Sequence, residues 1–136
     1  MKIVQKEFHV STQGRTEMVD VTRQVETALR EAGIQNGDVL IYCPHTTAAI
    51  TINENADADV VHDVLLALDQ MVPRSNPGFR HAEGNSDAHT KSSLVGCSEQ
   101  VLIQEGALVL GTWQAIYFCE FDGPRSRRVI VQVRGE

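Results

Sequence analysis

Strand-like runs dominate this chain, and helical patterns interrupt them in the wrong rhythm for a parallel sheet. About seven apolar or alternating runs surround two clear helical stripes, and they do not repeat as strand–helix–strand. That order predicts an α+β fold with mixed or antiparallel β-sheets and two main helices, not a doubly wound α/β fold. The C-terminal part is the most constrained. Residues 100–104, 108–110, 112–121 and 129–133 read as successive strands, with turn chemistry at Glu105-Gly106 and Asp122-Gly123-Pro124 and a bulge at Gly111. Along 113–121, Trp113, Ala115, Tyr117, Cys119 and Phe121 share one face, while Gln114, Ile116, Phe118 and Glu120 share the other. Gln114 and Glu120 therefore face either a pocket or an exposed surface.

The first half carries both helical stripes. Residues 3–10 and 16–21 read as strands joined at Gly14, which predicts a hairpin. Thr22 is a candidate cap for a helix on which Val25, Ala28, Leu29 and Ala32 recur, and Gly33 ends it. Asn36-Gly37-Asp38 is a turn, and Val39-Leu40-Ile41-Tyr42-Cys43 is a continuous apolar run that predicts a strand buried on both faces, closed by Pro44. Residues 48–52 form a further strand. Residues 57–72 form the longer helix, with Val61, Val64, Leu65, Leu68 and Val72 in one stripe and Asp57 and Asp59 in its first turn. Residues 73–84 read as a loop, and 88–95 as a short helix.

Composition narrows the class. At 136 residues, the chain reads as a single compact domain, 1–136, on the usual domain scale. Hydrophobic residues make up 42% and charged residues 22%, enough apolar surface to fold and too little charge for disorder. A net charge of −6 argues against nucleic acid as a partner. No apolar run approaches the length of a membrane span, and Met1 to Glu7 holds no apolar block of signal-peptide size, so the expected location is the cytoplasm. Cys43, Cys97 and Cys119 are odd in number and form no CxxC; they read as structural thiols rather than a disulfide framework.

Three of the five histidines lie where chemistry is expected. His9 and His62 read as surface groups. His45 follows a buried strand, at the end from which sheets present loop residues to ligands. His81 and His89 bracket a polar segment containing Glu83, Asn85 and Asp87. Imidazole with carboxylate is a common ligand set for zinc or a similar divalent metal, and three histidines with an open position make a catalytic-type site. The spacing is not a recognised zinc motif, so a plain solvated loop is the competing reading. Asn53-Glu54-Asn55 reads as a helix cap or as a carboxylate held beside His45 for metal ligation or general base work. Lys91-Ser92-Ser93 lacks the glycine spacing of a phosphate loop, although Lys91 at a helix start can still meet an anion. Arg125, Arg127 and Arg128 form the only basic cluster, either a solubilising turn or a phosphate clamp.

Five ordered blocks resemble one family. They are His45-Thr46-Thr47-Ala48-Ala49, Ile52-Asn53-Glu54-Asn55, Arg80 to His89, Leu110-Gly111-Thr112-Trp113-Gln114, and Phe118 to Pro124. Together they are similar to the YjbQ family, also called the secondary thiamine-phosphate synthase family, over essentially the whole chain. The resemblance implies a compact α+β homotrimer with a polar pocket near subunit interfaces, often holding a divalent metal, with zinc the leading candidate. It implies that His45, His81 and His89 are metal ligands or catalytic imidazoles. Glu54, Glu83, Asn85 and Asp87 would orient them or move protons, with Glu54 or Asp87 as general base. Asn53, Lys91, Gln114 and Arg125 would support the substrate. The expected activity is that of a metal-dependent transferase or hydrolase on a small phosphorylated or anionic metabolite. Thiamine-phosphate synthesis, the joining of hydroxymethylpyrimidine diphosphate to thiazole phosphate, would be a weak side activity and the primary role is unassigned. The alternative is a non-enzymatic trimeric module that binds a metal or metabolite. A redox role for Cys43 or Cys119 is a weaker third reading.

Overall fold

Two antiparallel sheets face each other across the main core, and the computed structural model describes all of residues 1–136. The strands are β1 (Lys2–Ser11), β2 (Glu17–Asp20), β3 (Gly37–Tyr42), β4 (Ala48–Glu54), β5 (Ser98–Gln104), β6 (Ala107–Leu108), β7 (Gln114–Glu120) and β8 (Ser126–Gly135). The helices are α1 (Thr22–Ala32), α2 (Ala58–Met71) and α3 (Ser86–Val95). The larger sheet has the order β1-β8-β3-β5-β6 and the smaller one β2-β7-β4. Every strand pair is antiparallel, so the sheets are antiparallel rather than mixed, and the α+β fold carries two main helices and the shorter third one over the expected region.

Period-two alternation builds the space between the sheets. Val39 and Ile41 on β3, Val129, Val131 and Val133 on β8, and Val101 and Ile103 on β5 point inward. Ile50 on β4 and Ile116 and Phe118 on β7 meet them from the smaller sheet, and all these residues join one core cluster. Helix α1 completes it with Val25, Ala28, Leu29 and Ala32, the predicted stripe. Its end follows from Gly33, whose φ of 68° lets its N–H reach the Leu29 and Arg30 carbonyls. Thr22 does not cap α1. Its hydroxyl accepts from the Ile116 N–H, and Asp20 Oδ1 accepts from the Thr22 N–H instead.

The predicted hairpin does not form. β1 pairs along its whole length with β8, and β2 pairs with β7 in the other sheet. The turn around Gly14 therefore carries the chain between sheets. β3 is not buried on both faces either: Leu40 and Tyr42 are each 41% exposed, because no helix covers the outer face of the larger sheet. An apolar run reports affinity for a buried position, not whether a second layer exists to cover it.

The outer face of the smaller sheet is built differently. Ala49, Ala115, Tyr117, Cys119 and Phe121 form a small cluster there with Ala88 of α3. Val61, Leu65 and Leu68 of α2 pack on it, but α2 buries no residue fully. Asp57 caps α2 by accepting from the Asp59 N–H, so the cap lies beyond Asn53-Glu54-Asn55. Helix α3 begins at Ser86, earlier than predicted, which puts Asp87 in its first turn. β4 extends to Glu54, past its predicted end at residue 52, and β7 begins at Gln114. Gly111 lies outside any strand, and its N–H donates to Gln114 Oε1.

Candidate functional site

At one end of the sandwich, β3 has just finished, β4 has not begun, β7 ends and β8 starts. The loops there enclose a cleft of about 310 Å³ with no apolar lining residue. His45, Glu83, Asn85, His89, Asp122 and Arg125 border it. A hollow of about 470 Å³ beside Phe79, His81 and His89 adjoins it, and two other larger hollows lie elsewhere. One of about 470 Å³ sits at the C-terminal end of α1 against β6, and one of about 570 Å³ lies between Asp20, Arg23, Asn55 and Gln114. Neither contains a histidine, so the smaller cleft is the better candidate for chemistry.

His45 is held by backbone. Its Nε2 lies 3.0 Å from the Arg128 N and 3.2 Å from the Arg128 carbonyl oxygen, and its ring stands edge-on to Phe118 with centroids 6.4 Å apart. Burial first, then the nearby Arg127 guanidinium, depresses its pKa below the ordinary imidazole value. His45 is therefore neutral at pH 7. His81 and His89 form an edge-to-face pair with centroids 5.4 Å apart, and His81 Nε2 lies 3.8 Å from Glu83 Oε2. His89 borders the cleft together with His45, whereas His81 opens onto an adjoining hollow with Phe79 and Thr90.

The metal expected from the family resemblance does not fit one chain. No group of three His, Cys, Asp or Glu side chains surrounds a common point. His45 has one ring nitrogen engaged by Arg128, and the other two imidazoles face each other rather than a shared centre with it.

Asp87 and Lys91 lie under this site rather than in it. Asp87 is 0% exposed and Lys91 is 1% exposed. Arg15 grips Asp87 with two N–H groups, at 3.0 and 3.1 Å, and Lys91 Nζ lies 2.6 Å from Asp69 and 3.4 Å from Asp87. Burial pushes the Asp87 carboxyl up, but Arg15 and Lys91 together outweigh it and hold the group below the ordinary carboxylate range. A low-pKa, doubly paired carboxylate is a poor general base, and neither side chain lines the cleft. Asn85 caps nothing with its side chain. It donates from Nδ2 to Asp122 Oδ2 at 2.8 Å, and Arg125 donates to Asp122 as well.

Glu54, Asn53 and Gln114 lie at the far end of β4 from His45, about 20 Å away at roughly 3.3 Å per strand residue. Glu54 is paired with Gln114 across the sheet, and the Tyr117 hydroxyl lies 3.0 Å from the Glu54 carbonyl oxygen. A single chain does not bring these three to the imidazoles.

One feature of the site escaped the sequence. Glu120 is fully buried and pairs with the Arg127 guanidinium through both carboxylate oxygens, while Thr12 donates to it at 2.8 Å. Burial raises the Glu120 pKa, and Arg127, the Asp122 N–H and Thr12 lower it further than burial lifts it. Arg127 also donates to Thr47 Oγ1 at 2.8 Å, which ties the loop after His45 to β8. The signal was available: Glu120 shares the inward face of Phe118, and Arg127 the inward face of Val129. Two opposite charges on facing interior positions predict a pair. Gly123 sits against this pair, and a Cβ there would strike the Gly14 carbonyl and Glu120 Cγ.

The thiols carry no site. Burial pushes the Cys43 thiol to about 11 and the Cys119 thiol to about 12. Both are inert at neutral pH, and only Cys97 is exposed.

Relatives share this whole architecture. The model of the family described as "UPF0047 protein YjbQ-like" matches residues 6–136. The UPF0047 protein YugU of Bacillus subtilis is 55% identical over 96% of this chain and 98% of its own length. A UPF0047 protein of Methanocaldococcus jannaschii is 50% identical over 95% of this chain and 93% of its own. Among solved structures, a YbjQ-like protein of unknown function from Sulfolobus solfataricus superposes with a TM-score of 0.95 at 36% identity, covering 99% of both chains. A YjbQ/UPF0047 protein from Clostridium acetobutylicum gives 0.91 at 50% identity over 93% of this chain and 97% of its own. No helix here is long and apolar enough to cross a membrane. With the match running through every block that frames the cleft, the chain belongs to the YjbQ/UPF0047 family.

Proposed function

We propose that this protein is an enzyme acting on a small anionic, phosphate-bearing metabolite bound in the His45–His89 cleft. The carrying observation is the convergence of two imidazoles and the Arg125 guanidinium on a cavity with no apolar lining. Such a cavity rejects apolar ligands and suits a compact, charged one. Arg125 is 52% exposed, so its guanidinium can meet a phosphate while its partner Asp122 holds it in place. His89 is the proton-transfer group of this reading, since its ring reaches the cleft without a carboxylate pairing it. His45 and Glu83 complete the polar wall. Asp87 and Lys91 act in this reading as supports of α3, not as reacting groups.

Weak thiamine-phosphate synthesis fits the same cleft, because diphosphate release needs positive groups at the leaving oxygen. A homotrimer also belongs to this reading. Glu54, Asn53 and Gln114 can act on the substrate only if a neighbouring copy presents that end of β4 to the cleft. Zinc enters on the same terms, through ligands added to the His81–His89 pair by another copy.

The non-enzymatic binding module remains the second reading, and one observation favours it: neither carboxylate expected as general base lies in the cleft. Titration with inorganic phosphate, followed through the His89 ring resonances, tests the site. Arg125→Ala should weaken phosphate binding about tenfold, the worth of one charge-assisted hydrogen bond. Absence of any His89 response would remove the proposal. Diphosphate release from hydroxymethylpyrimidine diphosphate and thiazole phosphate, lost in His89→Ala, supports the enzyme; phosphate binding without any turnover supports the module.

A further inference from the structure

Arg127 stands between the core and the cleft. Alternation along β8 sends it inward with Val129, Val131 and Val133, and its side chain is only 6% exposed. Glu120 takes two of its guanidinium nitrogens: Nε donates to Glu120 Oε1 at 2.8 Å, and Nη2 donates to Oε2. Nη2 also donates to Thr47 Oγ1 at 2.8 Å. Nη1 makes no hydrogen bond within the chain and, unlike Arg15 Nε, is not sealed from solvent. The open space that Arg127 borders is the His45–His89 cleft, and its guanidinium is close enough to His45 to depress that imidazole's pKa. Glu120 does not border the cleft. It is fully buried, and each of its oxygens accepts twice, Oε1 from Arg127 and Thr12, Oε2 from Arg127 and the Asp122 N–H. The ion pair therefore turns its donor end to the cleft.

Thr47 supplies a second donor beside it. It is buried and lines the same cleft. Its Oγ1 accepts from Arg127, while its own hydroxyl hydrogen goes to no acceptor in the chain. A hydroxyl that accepts from a guanidinium is polarised and donates more strongly.

We infer that Arg127 Nη1 and the Thr47 hydroxyl form a two-donor seat in the cleft for one phosphoryl oxygen of the ligand, with Glu120 as the buried group that positions it. The inference rests on reading the cleft as an anion site, and it names the groups that read the anion. Glu120 balances the charge of Arg127, so the seat acts at hydrogen-bond range rather than by long-range attraction. It is also preorganised, because the two-point pair has already ordered the guanidinium before a ligand arrives. Arg125 differs: it is half exposed, and salt screens it.

The test is a guanidinium ¹⁵N spectrum of the full chain labelled at arginine, followed together with the His89 ring signals during titration with inorganic phosphate. The Glu120 pair should keep the two Arg127 Nη signals separate, and phosphate should move Nη1 more than Nε. Thr47→Val keeps the side-chain shape without the hydroxyl, and Thr47→Ser keeps the hydroxyl. Phosphate affinity should fall about tenfold in Thr47→Val, the worth of one hydrogen bond to a charged group, and stay within about threefold in Thr47→Ser. Separate Arg127 Nη signals in Thr47→Val would show that the ion pair is intact and that the loss is local. Movement of His89 without Arg127 Nη1, or parental affinity in Thr47→Val, would overturn the seat and leave the anion reading of the cleft standing. Movement of Arg127 Nη1 without His89 would keep the seat and remove His89 from the proposed function. No response from either group removes both readings. If Thr47→Val does not fold, the Arg127 Nη1 response of the parent protein decides alone.

Discussion

The two faces of the smaller sheet are held by different means. The inward face meets the larger sheet through Ile50, Ile116 and Phe118, in a cluster of 19 buried residues, with a single buried ion pair, Glu120–Arg127, at the cleft end. The outward face is covered by α2 and α3, and there the fixed points are ionic: Arg15 on Asp87, and Lys91 bridging Asp87 to Asp69. Apolar burial is indifferent to pH and largely to salt, and it tolerates approximate fit. Removing a buried member of an ion network strands another charge in a dry interior, whereas removing an exposed member costs little. The segment bearing His81, Glu83 and His89 belongs to the ionic side. The rigid sandwich therefore holds His45, while a more easily opened layer holds the other two imidazoles.

The difference can be broken from either side. Phe118→Ala should cost about 3–5 kcal/mol, read as a lower denaturant midpoint for the whole chain, since it opens a cavity between the sheets. Lys91→Ala should cost about 3 kcal/mol and act locally, because Asp87 loses a partner while Arg15 remains. Its signature is thiol access: Cys119, beneath α2 and α3, should alkylate faster than in the parent protein, while Cys43 between the sheets should not change. Equal acceleration at both thiols would mean that the two layers open together.

Acid should separate the layers next. The folded chain holds the Asp87 carboxyl of α3 below its ordinary value, so the unfolded chain takes up a proton first as pH falls. Its stabilisation is complete above about pH 4, the unfolded carboxylate range, and is lost as pH drops through the folded value. Hydrogen exchange corrected for intrinsic rates should rise in α2, α3 and the cleft loops before it rises in the centre of β3 and β8. The smallest effect belongs to Asp69→Asn. Asp69 is 60% exposed, so the loss should be under about 1 kcal/mol, visible as faster exchange in α2 alone. Unchanged exchange there would show that Val61, Leu65 and Leu68 suffice to dock the helix.

Much of this was readable residue by residue. The alternation of Ala115, Tyr117, Cys119 and Phe121 against Ile116 and Phe118 assigned each side chain to one of two clusters, and the structure keeps that division. The α1 stripe and its glycine stop were equally plain. The site was readable in part. His45, Glu83, Asn85, His89 and Arg125 meet at one cleft, while His81 reaches it only through His89, and Glu54, Asn53 and Gln114 lie at the opposite end. Asp87 and Lys91 looked like surface chemistry in a polar segment. Their partners Arg15 and Asp69 come from distant parts of the chain, and a local window cannot see them.

Sequence alone settled what neighbours in the chain settle: which positions face inward, where helices stop, and which family the blocks spell out. Periodicity and turn chemistry act over a few residues, so they survive in one dimension. Tertiary structure decided which strand each edge would choose, sending β1 to β8 and β2 to β7. It also decided which charges would be buried, because a buried charge is tolerable only where an opposite one arrives from another element, and that meeting exists only after the chain has folded.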